Sequence, residues 1–137
     1  MKFFWYVFAL LSLAGTLPGC AGGGVSVVTD PAELAAKQAG DRAVARWNAM
    51  IRKDFDTAYQ FLSPGSKVAN PISMFKAKIR PLEWRAIRVV EAACERDVCK
   101  VKLSLALVDK RLGGEVETVF EESWLQESGQ WWLVFNQ

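Results

Sequence analysis

The sequence predicts an α+β domain: three N-terminal helices packed on one face of a curved, four-stranded antiparallel meander. Three observations carry this reading. Between Asp30 and Pro81, apolar residues recur at steps of three and four. Beyond Pro81 the period falls to two. The alternating segments are joined by loops too short to do anything but reverse the chain, which makes neighbouring strands antiparallel.

The first residues read as an address that precedes the domain. Met1 and Lys2 are followed by "FFWYVFALLSLAGTL", then Pro18 and Gly19. One positive charge, an apolar stretch and small residues before a cut site make a secretory signal over residues 1–19. The stretch falls short of the roughly 20 apolar residues of a membrane span. An uncleaved signal anchor is the alternative.

Leu17-Pro18-Gly19-Cys20 resembles the lipobox of bacterial lipoproteins, with Leu three residues before the cysteine and Gly directly before it. Pro18 departs from the Ala, Ser or Thr usual there. The resemblance implies a diacylglycerylated Cys20 thiol, cleavage in front of it, and acylation of the new amino group by a palmitate-type chain. The bilayer is then a partner through Cys20, because every buried CH₂ adds about 0.8 kcal/mol. Ala21 follows Cys20 in place of the Asp of an inner-membrane retention signal. The expected location is therefore the outer membrane, facing the periplasm. A soluble secreted chain with a stray cysteine is the other reading. Residues 20–29, "CAGGGVSVVT", form the acylated cysteine and a short flexible tether, and residues 30–137 the domain.

In the helical half, Asp30-Pro31 opens the first helix, Asp capping free N–H groups and Pro fitting the first turn. Ala36, Gly40, Ala43, Val44, Trp47, Met50 and Ile51 mark its apolar stripe, which ends near Lys53. "DFDTAYQFL" gives a second helix capped by Asp54, and "SPGS" stops it. Asn70-Pro71 opens a third, with Ile72, Phe75 and Ile79, halted by Pro81.

"WRAIRVVEAAC", "VCKVKLSLALVD", "EVETVFEESWLQE" and "QWWLVFN" are the four strands. Cys94 and Cys99 stand at opposed ends of a four-residue hairpin loop. An exported chain meets an oxidising compartment, so this pair is expected to close as a structural disulfide. A redox-active pair is the alternative, but the spacing is not Cys-x-x-Cys.

Helices first and strands afterwards, with "RKDFDTAYQFLSPGS" and the closing hairpin "ESWLQESGQWWLV", resemble the nuclear-transport-factor-2-like superfamily over residues 31–137. Ketosteroid isomerase and polyketide cyclases share that cone-shaped fold. The resemblance implies a pocket between helices and concave sheet, and a dimer through the opposite sheet face.

Setting Cys94 opposite Cys99 places Ala92 by Val101, Val90 by Leu103, Arg88 by Leu105, and Glu91 by Lys102 on the other face. Closing the second hairpin over Gly113-Gly114 places Leu103 by Trp124 and Leu105 by Glu122. Closing the third over Ser128-Gly129 places Trp124 by Leu133. One apolar face results: Val90, Val101, Leu103, Leu105, Leu107, Phe120, Trp124, Leu133 and Phe135. Arg88 and Glu122 interrupt it in one cross-strand row, about 10 Å apart by strand spacing. They are candidate ligand-binding residues, Arg88 for an anionic group and Glu122 to orient it, with Trp47, Tyr59 and Trp124 as aromatic walls. Two alternatives stand beside this: an internal salt bridge, and a β-bulge that turns one of the two outward. Core packing is the alternative for the aromatics. The reverse face, carrying Ile87, Val89, Ala106, Val119, Leu125, Trp132 and Val134, is expected to meet a second copy or an envelope protein.

Composition narrows the function. The net charge is +2, from 17 basic and 15 acidic residues spread along the chain, so no nucleic-acid partner is expected. The chain has no histidine, which removes the commonest metal ligand and general base. No metal site, catalytic residue or cofactor is expected. The function read from the sequence is a non-catalytic binding or interaction module of the cell envelope. The alternative is a small-molecule binder or isomerase-like enzyme using the pocket, with Glu122 as its single inward acid.

Overall fold

The computed structural model describes residues 30–80 and 82–136. The signal-like segment, Cys20 and the tether lie outside them. The described chain is α+β: helices α1 (Pro31–Ile51), α2 (Phe55–Gln60), α3 (Pro64–Ala69) and α4 (Ile72–Lys78), then strands β1 (Glu83–Glu95), β2 (Val98–Asp109), β3 (Gly114–Glu127) and β4 (Gln130–Val134). The strands form one antiparallel sheet in the order β1-β2-β3-β4. No helix among the described residues is long and apolar enough to cross a membrane.

Asp30 caps α1 as expected, its carboxylate accepting from Ala32 N at 2.9 Å, with Pro31 in the first turn. The face that α1 buries against the sheet begins with Ala39, Gly40 and Ala43. Small residues let the helix lie close: a Cβ added at Gly40 would stand 3.3 Å from Val89 Cγ2.

The helix count needs correction, because "SPGS" is a start as well as a stop. Ser63 Oγ accepts from Ser66 N at 3.1 Å and Pro64 occupies the first turn, so α3 begins where only an exit was expected. The linker from α2 to α3 has a second task. Ser63 N donates to Leu133 O, and Leu133 N to Phe61 O, both at 2.8 Å. Leu62 thereby forms a parallel bridge with Leu133, and the free edge of β4 is covered.

The four strands and the first and third hairpins lie where the alternation puts them, and Cys94 pairs with Cys99 in a disulfide. Two registers differ. In β1, a bulge between Val89 and Glu91 inserts a residue into the ladder. Val89, not Val90, therefore faces Leu103, while Ile87 faces Leu105 and Arg88 faces Ser104. Side chains alternate, so the bulge exchanges the faces of residues 87–90: Ile87 and Val89 turn to the helices, Arg88 and Val90 away.

The second hairpin closes over Lys110–Gly113, with Asp109 opposite Gly114. Asp109 Oδ1 accepts from Arg111 N at 2.8 Å, so the aspartate side chain closes the turn ahead of the glycine pair. Gly113, at φ 86°, supplies the left-handed residue at its end. Leu103 consequently faces Phe120, and Val101 faces Glu122. The displacement is even, so every β3 side chain keeps its expected face.

Ion pairs on the outer sheet face include Arg88–Glu117, Lys102–Glu91 and Lys100–Glu121. Val119 is exposed among them, whereas Trp132 and Val134 are half-buried. Val89, expected on this outer surface, packs toward α1.

The disulfide closes a small ring, so its contribution lies below the roughly 3 kcal/mol of a 15-residue loop. The Cys94→Ala/Cys99→Ala protein is expected to fold, with a loss of unfolding free energy in urea smaller than that. A loss of the folded state would show the bridge to be a condition of folding.

Candidate functional site

Two turns beyond Gly40, the buried face of α1 changes character. Arg46 is 4% exposed, and Trp47, Ala49 and Met50 follow it. An arginine at this depth must be paired. Its partner is Glu122, which β3 projects from the sheet: Arg46 Nη1 to Glu122 Oε1 is 2.6 Å, with side chains 4% and 9% exposed. Trp47 Nε1 donates to the same oxygen at 2.7 Å, and Trp124 Nε1 to Oε2 at 3.1 Å. Three donors thus hold the carboxylate, which offers about four acceptor directions in all. Burial pulls the Arg46 guanidinium below its ordinary pKa, and the charge of Glu122 works against that pull. Arg46 Nε is buried without a protein hydrogen-bond partner among the described residues.

This cluster forms one wall of a cavity of about 620 Å³ between the end of α1, α4 and the sheet. The size falls within the roughly 300–1,000 Å³ of small-molecule sites. Trp47, Trp84, Phe75, Phe120 and Phe135 are its aromatic lining residues. Trp47 meets Trp84 edge-on with centroids 5.7 Å apart and Phe120 at 5.2 Å, and Phe75 meets Phe135 at 5.5 Å, so the rings brace one another. Lys78, Arg80 and Thr118 line the cavity too and are exposed, which places them at its mouth.

The sequence-predicted ligand residues divide accordingly. Glu122 and Trp47 line the cavity. Trp124 is fully buried behind the carboxylate that it holds. Tyr59 packs on Phe75 with centroids 5.4 Å apart and donates its hydroxyl to Asn70 O at 3.0 Å, joining α2 to the end of α3. Arg88 is corrected outright. The β1 bulge turns it to the outer face, where it meets Glu117 at 3.2 Å, with a side chain 60% exposed. The expected Arg88–Glu122 row does not exist. Arg46 takes the place expected of Arg88, a residue that the apolar stripe did not include. The signal that could have found it is its position directly before Trp47 and three residues after Ala43, within reach of the buried face.

The fold defines the class first: a long helix and three short ones over a four-stranded antiparallel meander. No family model and no curated protein matches the chain. Among solved structures, it is similar to the solution structure of a SEC-C motif containing protein from Rhodopseudomonas palustris. The two are 16% identical, the match covers 67% of this chain and 71% of the other, and the TM-score is 0.57. At that identity the likeness is one of fold alone. It corrects the nuclear-transport-factor-2-like resemblance, since the structural neighbour is a SEC-C motif protein and not a member of that superfamily. With no family model or curated relative matched, membership of the lipoprotein family likewise finds no support in the comparisons.

Breaking a buried pair from one side leaves a stranded charge and costs about 3–5 kcal/mol. Glu122→Gln removes the charge facing Arg46 and leaves one acceptor oxygen where the two indoles now use two. Its unfolding free energy from chemical denaturation is expected to fall by an amount in that range. A change within about 0.5 kcal/mol would mean that Arg46 reaches water or another anion.

Proposed function

We propose that this protein is a non-catalytic binding module whose cavity takes a small, largely apolar ligand. The observation that carries the reading is the cavity itself, walled by mutually braced aromatic rings and open at one end between α4 and the sheet. Its chemistry points to binding. The inward carboxylate is held by an arginine and two indoles, so its lone pairs serve the protein's own donors. A general base has to reach a substrate proton, and three donors already occupy this one. The outer sheet face, laced with ion pairs, supports a protein-interaction role less well than the cavity supports ligand binding.

Location is part of the same proposal. Acylation at Cys20 and the short tether would hold the module at the periplasmic side of the outer membrane, which rests on residues 17–29 alone. Cys20→Ser is then expected to move the protein from the membrane fraction to the soluble fraction. Equal distribution of the two proteins would remove the anchor from the proposal.

The neutral fluorescent probe N-phenylnaphthylamine tests the cavity. It is expected to brighten on binding, and Thr118→Trp, which places an indole at the exposed mouth, should weaken binding at least tenfold. Val119→Trp, on the other face of the same strand, should leave it unchanged. Equal binding by all three proteins would place the probe elsewhere and defeat the cavity reading.

A further inference from the structure

We propose that the ligand is a neutral apolar molecule carrying a carbonyl oxygen, as a ketone, ester or amide does, and that this oxygen accepts a hydrogen bond from Arg46 at the floor of the cavity. This rests on the cavity being a binding site and adds the chemical class.

Hydrogen bonding at the floor points to an acceptor. A guanidinium carries five N–H groups and can accept nothing. Arg46 directs one of them, from Nη1, to Glu122. Its Nε is buried with no acceptor among the described residues. The Trp47 ring, with its centroid 5.1 Å from the guanidinium carbon, attracts the charge but offers no oxygen. Oxygens nearby are engaged. Glu122 receives three donors on its two oxygens. Ser123 Oγ, also in the lining, accepts from Lys100 at 2.7 Å, and Glu121 pairs with the same lysine at 3.5 Å. An unpaired donor at the depth of Arg46 is unfavourable. Arg46 lines the cavity, so a molecule seated there can bring the missing oxygen.

Charge decides what kind of oxygen it is. Arg46 and Glu122 stand 2.6 Å apart and compensate each other. An anionic head beside them would set a second negative charge against Glu122, whose side chain is only 9% exposed and little screened by water. A carbonyl brings no such charge, and a hydrogen bond from a cationic donor is stronger than one from a neutral group. The remainder of the molecule meets Trp47, Phe75, Trp84 and Phe120.

Butyrophenone and n-butylbenzene share one carbon skeleton and differ by the carbonyl oxygen, so displacement of N-phenylnaphthylamine by the pair isolates that atom. Butyrophenone labelled with carbon-13 at the carbonyl adds a direct reading, because its infrared stretch falls in frequency when the oxygen accepts a hydrogen bond. On the unaltered protein the bound band is expected below its position in hexane. Thr118→Trp, at the exposed mouth, should diminish the bound band along with binding. Arg46→Met/Glu122→Gln removes the guanidinium without stranding a carboxylate. In that protein the band should move back toward its hexane position, and the ketone should lose about tenfold in affinity relative to the hydrocarbon. Arg46→Lys, which keeps a cation facing Glu122, is the second variant should the first not fold, and its band should shift too. With the unaltered protein, 4-phenylbutyrate, an anion on a similar skeleton, should bind more weakly than the ketone.

A hexane-like band on the unaltered protein, or a lowered band that both Arg46 variants leave in place, would overturn the assignment to Arg46. Tighter binding by 4-phenylbutyrate than by the ketone would overturn the neutral class. In either case displacement of the probe by n-butylbenzene would leave the cavity standing as an apolar site. Failure of the probe itself to bind would instead overturn the binding-module reading.

Discussion

The contact between Arg46 and Glu122 joins the two layers of this molecule. The residues are 76 apart in sequence, one on α1 and one on β3, and both are withdrawn from water. Two charges at such depth are costly to desolvate, and their attraction offsets that cost only with good geometry and further hydrogen bonds. The indoles of Trp47 and Trp124 provide those bonds, one from each layer. A sliding of α1 along the sheet by one helical turn would strand a carboxylate, a guanidinium and two indole N–H groups together. The cluster thus selects one seating of the helix on the sheet, a constraint that apolar packing alone would impose less sharply.

That seating produces the cavity through a taper in side-chain size. In its first half, α1 presents Ala39, Gly40 and Ala43, and Val89 reaches it through the space a larger residue would fill. In its second half it presents the larger Arg46, Trp47 and Met50, all of which line the cavity. The short helices follow this end of α1. Their positions are tied to the last strand: the linker between α2 and α3 pairs with Leu133, and Ser66 Oγ accepts from Phe135 N at 2.9 Å. The hollow is framed by hydrogen bonds on one side and braced rings on the other. A jacket of hydrogen-bonded backbone around aromatic walls keeps such a space from collapsing onto itself.

The layout of helices and strands was legible because it rests on local periodicity and turn chemistry, both printed in a few residues at a time. Asp30-Pro31, the change of period after Pro81, and Ser128-Gly129 are signals of that sort. What was not legible depended on competition between equally good local choices. "SPGS" reads as a stop or as a cap, and only the need of β4 for an edge partner decides. "DKRLGG" offers two closures, and the Asp109 side chain decides for the wider one. The bulge at Val89–Glu91 leaves no local mark in an apolar run, yet it moved Arg88 out of the site. Glu122 was found because an even slip preserves faces. Arg46 was passed over because its justification lies on another layer of the fold.

The division of charge between the floor and the mouth of the cavity follows from the same facts. A buried ion pair presents an approaching molecule with compensated charge. On the proposed binding reading, further discrimination between ligands would fall to exposed residues that line the cavity, Arg80 and Thr118 among them. The floor fixes the depth and shape of the hollow, and the rim can vary without disturbing either. On that reading stability and this part of selectivity would reside in different residues, since Arg46 is buried in the cluster that seats the helix layer and Arg80 is exposed where it lines the cavity.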